Sequence, residues 1–185
     1  MQDAEIVALY WQRSDRAIPE SARKYGRYCH TIAYNICLNN EDAEECVNDT
    51  WLGAWNAMPE ARPNLLSAFL GAISRNLALD RFRRQNSLKR GGGETALALE
   101  ELAECVPGET DVEGALEEKE LAQAVDTFLA ALPEEERKIF VARYWFLAPT
   151  AEIAKKLGFS EGKVKMTLSR GRKKLRAYLE KEGLL

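Results

Sequence analysis

Between Thr150 and Arg176 the chain sets Ala154, Gly158 and Val164 at offsets of zero, four and ten. A helix-turn-helix needs, at those places, a small residue for close crossing, a residue tolerant of the left-handed turn, and a branched anchor in the second helix. Thr150 can cap a short helix, Ala151–Leu157, which Gly158 breaks, and Ser160 can cap a second that runs amphipathically through Leu179. Turning that second helix at about 100° per residue puts Val164, Leu168, Gly171 and Leu175 on the packed side. Met166, Ser169, Arg170 and Lys173 lie opposite, with Lys165 flanking them. Such a face offers a guanidinium fork for guanine edges, hydrogen-bonding and cationic tips in Ser169 and Lys165, and an apolar surface for a thymine methyl in Met166. Lys163, Arg172, Lys174 and Arg176 are placed to reach phosphates, which gives affinity without sequence information. A solvated lysine-rich helix end, favoured by the helix dipole, accounts for Lys173–Arg176 but not for Met166 on the outer face.

A second basic constellation lies upstream. Arg75, Arg81, Arg83 and Arg84 share a helical pattern with Asn76, and Asn76, Asp80, Arg83 and Arg84 fall on a common side. A forked amide among cations can hydrogen-bond an exposed base edge and hold its backbone, although polar helix faces are common. Catalytic chemistry is poorly provided for: His30 is the only histidine, no Gly-rich phosphate loop is present, and the carboxylates are dispersed without a paired base or metal set. The chain is expected not to be an enzyme and to need no cofactor or metal. Cys29, Cys37, Cys46 and Cys105 form no C-x-x-C pair and read as reduced, packed thiols, with redox sensing or metal binding as the alternative.

The elements that must carry these faces are helical. Tyr25, Tyr28, Ile32 and Ile36 recur at helical steps, as do Ala43, Cys46/Val47, Trp51, Ala54/Trp55 and Met58; a third helix after Pro63 carries Leu66, Phe69, Ile73 and Leu77 inward. Asn40 can cap the second of these, with Glu41, Asp42, Glu44 and Glu45 at its positive end. Helical period returns from Leu121, and Pro133-Glu134-Glu135 opens a further helix. The 185 residues, 46% apolar and 30% charged, therefore predict an all-α fold of two small helical domains, 1–90 and 119–185. Residues 91–118 are expected to form an acidic flexible linker, although Ala96–Leu102 can fold against a partner.

The net charge of −3 hides a segregation, with +6 over residues 62–93, −9 over 94–120 and +8 over 155–181. Two separate basic blocks in an acidic chain form the footprint of a protein that touches nucleic acid in two places. No apolar run approaches the roughly 20 residues of a membrane span, and the acidic start, Met1-Gln2-Asp3-Ala4-Glu5, is unlike a secretory signal, so a cytoplasmic protein without membrane insertion is expected.

Across nearly its whole length the chain resembles the extracytoplasmic-function (ECF) group of bacterial RNA polymerase sigma factors. Asn40–Trp55 is similar to that family's polymerase-binding helix, Phe69–Arg84 to its promoter-melting segment, and Leu132–Leu179 to its terminal helix-turn-helix domain. The resemblance implies that Asp42, Glu45, Asn48, Asp49 and Trp51 bind the coiled coil of the largest polymerase subunit, Asn48 standing where glutamine is usual. It implies that Asn76, with Arg75, Asp80, Arg83 and Arg84 around it, meets a flipped base of the melted −10 element, the loop Asn56–Asn64 shaping the pocket. It further implies that Lys165, Ser169 and Arg170 read the −35 duplex, lysine and serine replacing bulkier family residues. Core polymerase, promoter DNA and an anti-sigma protein are the expected partners. A stand-alone helix-turn-helix regulator is the competing reading, but it has no need of an acidic-aromatic helix paired with a second basic helix upstream.

Overall fold

The computed structural model describes residues 1–86, 93–105 and 115–185, which contain nine α-helices and, among the described residues, no strand. They form two compact units, Met1–Gly91 and Gly92–Leu185. Among the described residues no helix is long and apolar enough to cross a membrane.

Unit 1 contains α1 (Asp3–Trp11), α2 (Ala17–Cys37), α3 (Asn40–Ala57) and α4 (Leu66–Asn86). Its core joins Ile6, Val7 and Tyr10 of α1 to Cys29 of α2, Trp51 and Ala54 of α3, and Leu66 and Leu70 of α4. Each large apolar side chain so buried contributes about 1.5–3 kcal/mol. The cap of α3 is Asn39, one residue earlier than expected: its side-chain oxygen accepts from the Asp42 amide at 3.1 Å, while Asn40 lies inside the helix and donates to Glu44 at 2.8 Å. Asp3 ties α1 to α2 by accepting from Lys24 at 2.5 Å and from the Tyr25 hydroxyl at 2.6 Å.

The inner stripe of α4 is rotated from the expected one. Leu66, Leu70, Ser74 and Ala78 are buried, whereas Phe69, Ile73 and Leu77 are only partly so. Small residues suit a helix pressed against both α2 and α3, and Ser74 is satisfied there by donating to the Cys29 carbonyl at 3.1 Å. Another buried hydroxyl pair, Tyr10 to Ser21 at 2.9 Å, joins α1 to α2. Tyr10→Phe strips Ser21 of that partner, and a loss of about 1–2 kcal/mol is expected as a lowered denaturant midpoint with an unchanged slope.

Unit 2 contains α5 (Gly93–Ala103), α6 (Ala115–Ala131), α7 (Glu134–Tyr144), α8 (Thr150–Leu157) and α9 (Glu161–Lys181). The α8–α9 turn forms as its residues predict: Gly158 takes φ +71° and Ser160 accepts from the Lys163 amide at 3.2 Å. Thr150 is the first helical residue rather than the cap, and its hydroxyl donates to Glu161 at 3.0 Å, tying the start of α8 to the start of α9. Val164, Leu168, Gly171 and Leu175 are buried as expected. Gly171 admits the Phe140 ring, since a Cβ there would lie 3.0 Å from it.

Residues 93–105, expected within a solvated linker, instead form α5 and its following turn and pack on unit 2. Thr95, Ala98 and Cys105 are buried, and Leu102 lies against the core of Phe128, Phe140, Tyr144 and Leu168. The reason is a long-range charge match. Arg143 of α7, with a side chain 0% exposed, donates to Glu94 at 2.8 Å and Glu101 at 3.3 Å, besides the Ala148 carbonyl at 3.2 Å.

Candidate nucleic-acid and polymerase interfaces

On α9 the two halves of the expected reading face differ in how far they are committed. Arg170 and Lys173 are exposed and, among the described residues, make no ion pair; Met166 is 53% exposed beside them and Ser169 is half-buried. The flanking cations are paired. Lys165 meets Glu161 at 2.7 Å, Lys163 meets Glu135 at 2.6 Å with its ammonium 3.7 Å from the centre of the Phe159 ring, and Lys174 meets Glu136 at 2.8 Å. These pairs are exposed and worth little, so a phosphate can displace the carboxylates. Arg172 differs from its expected outward reach. Its side chain is 20% exposed, donates to the Tyr144 hydroxyl at 2.8 Å and lies 3.5 Å from Glu101.

In unit 1, α3 and α4 are clamped by Arg81, which meets Asp42 at 2.8 Å and Glu45 at 2.6 Å, while Gln85 donates to Asp42 at 3.0 Å. Arg81 holds the Glu45 carboxyl below its usual range. That contact therefore contributes at pH values above the ordinary glutamate pKa and is lost as pH falls through the lowered value. Asn48 and Asp49 are exposed on the outer side of α3. Trp51 is not on that side: it is 6% exposed and belongs to the core, because it follows the same inward stripe as Cys46, Ala54 and Met58. Leu52, 58% exposed, takes its place among the outward residues. Sequence reasoning passed over Leu52; its signal was an isolated leucine between Trp51 and Gly53, outside the buried repeat.

Asn76, Asp80, Arg83 and Arg84 are exposed on α4, with Arg83 and Asp80 3.7 Å apart. Arg75 is half-buried, and burial with the nearby Arg83 charge lowers its guanidinium pKa. A cleft of about 430 Å³ between α3 and α4 brings Asp80, Arg81 and Arg84 together with Glu45 and Asp49. The side chains ascribed to two different partners thus border one another, while Asn76 stands outside that cleft.

The comparisons with known proteins follow this division. Residues 22–88 match the family model for sigma-70 region 2, and residues 122–175 match that for sigma-70 region 4. The chain is 28% identical over 165 residues to the ECF RNA polymerase sigma factor SigE of Mycolicibacterium smegmatis, covering 89% of this chain but 62% of that one. It is 29% identical over 178 residues to the ECF sigma factor SigM of Mycobacterium tuberculosis, covering 96% of this chain and 84% of that one. A solved chain, from the structure of CnrH in complex with the cytosolic domain of CnrY, is 24% identical with a TM-score of 0.44, over 96% of this chain and 97% of the other. With the region 2 match on α2–α4 and the region 4 match on α6–α9, the chain belongs to the sigma-70 family of RNA polymerase sigma factors, in its extracytoplasmic-function group.

Proposed function

We propose that the protein acts as a specificity subunit rather than an enzyme, binding core RNA polymerase and directing initiation by reading the −35 duplex with unit 2 and the melted −10 element with unit 1. The observation that carries this reading is the presence, in one chain, of two separately folded helical units with an exposed basic face on each. In unit 2, Arg170 is the base-reading fork, Met166 and Ser169 flank it, Lys165 and Lys173 are cationic tips, and Lys163 serves the phosphates. Arg172 joins them only by leaving its inward pocket. In unit 1, Asn48, Asp49 and Leu52 supply the outward polymerase contacts, and Asp42 and Glu45 hold α4 in place through Arg81. Trp51 supports that surface from beneath. An anti-sigma protein covering both DNA faces is the form of control the family reading carries.

Asn76 takes the flipped base in this scheme. Unstacking a base exposes an edge that is otherwise hidden, at a cost of a few kcal/mol, roughly the scale a forked amide and neighbouring cations can offset. Asn76→Ala is expected to impair promoter opening and −10 preference while leaving duplex binding by unit 2 intact. Alanine favours the helix, so folding is preserved. Permanganate footprinting of the polymerase complex reads the opening; unchanged reactivity and unchanged −10 preference remove Asn76 from the site. The polymerase surface is tested separately by pull-down of core enzyme, where Asp49→Lys is expected to weaken capture and Tyr10→Phe is not.

A further inference from the structure

Helix α5 and the turn after it carry four acids, Glu94, Glu100, Glu101 and Glu104, and no base. Two of them, Glu101 and Glu104, meet α9, the helix that carries the proposed DNA-reading residues. Glu101 reaches Arg143 at 3.3 Å and Arg172 at 3.5 Å and accepts from the Tyr144 hydroxyl at 3.1 Å. The Glu104 carbonyl accepts from Arg176 at 3.2 Å. Where this segment meets α9 a cleft of about 200 Å³ is lined by Glu104, Cys105, Ser169, Arg172, Lys173 and Arg176. Ser169, Arg172 and Lys173 are residues that the proposed function gives to duplex DNA.

We propose that α5 and the α7–α9 face of unit 2 form an intramolecular lock, in which the acidic segment occupies the edge of the DNA-reading surface and must leave before a duplex can settle there. The inference rests on the DNA-reading role proposed above for unit 2. Glu104 lines the cleft beside Ser169 and Lys173, and Arg172 is turned onto Glu101 instead of outward. A duplex therefore meets like charge at that edge and one cation fewer. α5 has 11 residues and few large apolar anchors, Leu102 among them, so it is held chiefly by the pairs of Arg143 to Glu94 and Glu101, and these are what its release must break. A helix of that length is marginal in isolation, so a released α5 unfolds.

Hydrogen exchange on the full chain, with and without a duplex of about 20 base pairs at low salt, tests the lock, since phosphate attraction needs no particular sequence. Amides of 95–103 are expected to be protected in the free chain and to lose protection when the duplex is added, while α9 stays protected. Two variants free α5 by different routes. Glu101→Gln/Glu104→Gln removes the charges, and Ala98→Gln crowds a fully buried alanine without changing charge. Both are expected to bind the duplex about tenfold more tightly, a difference of about 1.4 kcal/mol. Duplex binding with α5 still protected, or an Ala98→Gln chain with α5 exposed and unchanged affinity, overturns the lock alone. Absence of duplex binding by the parent and by both variants, with α9 folded, overturns the DNA-reading role and the lock with it.

Discussion

Arg170→Ala is expected to lower transcription from promoters carrying the preferred base at one or two −35 positions by about 10- to 100-fold, and to leave promoters with other bases there nearly unaffected. The estimate comes from a bidentate base contact worth about 1–3 kcal/mol of discrimination. The structure favours Arg170 for this role because its guanidinium makes no ion pair among the described residues and has Met166 beside it on the outward side. Lys173→Ala is the comparison. It removes an exposed cation suited to a phosphate, so binding should weaken evenly across sequences and the salt slope should fall by about one. A panel of single-base −35 variants separates the outcomes; equal loss on every variant for Arg170→Ala rejects the base contact.

Arg143→Ala is expected to have the largest effect on folding. The side chain is 0% exposed and meets two carboxylates and the Ala148 carbonyl. Removing one partner of a buried charge pair costs about 3–5 kcal/mol, and the lower end is expected because Glu94 is 47% exposed and regains water. Arg143→Lys keeps the charge but not the fork, so its loss should be intermediate. Denaturant unfolding followed by near-ultraviolet circular dichroism reads both; a midpoint for Arg143→Ala equal to that of the parent chain contradicts the account of why α5 docks.

The α8–α9 turn was legible in the sequence because each of its requirements is local. Gly158 supplies the left-handed residue, Ser160 the cap, and Val164 and Leu168 a clear stripe within one helix. The α4 stripe was less legible because that helix is apolar on more than one side, so Leu70 and Leu77 both fit a plausible repeat and only packing against two neighbours selects Leu70. Trp51 shows the same limit from the other direction. Its inward repeat was visible, yet the family pattern placed it with the polymerase-facing residues, and burial resolves the two in favour of the core. Helix α5 was the least legible element. Its composition says solvated, and what orders it is Arg143, 42 positions beyond Glu101, a match that no local window contains.

The most direct test of the central claim is a gel shift on promoter DNA taken from upstream of the chain's own coding sequence, run with and without core RNA polymerase at physiological salt. The account predicts that the chain alone binds weakly and without sequence preference, through cations partly held by their own carboxylates. With core enzyme it predicts a sequence-specific complex that Arg170→Ala and Asn76→Ala both weaken. Nanomolar, sequence-specific binding by the isolated chain, unchanged by polymerase, would instead make it a stand-alone regulator and contradict the account.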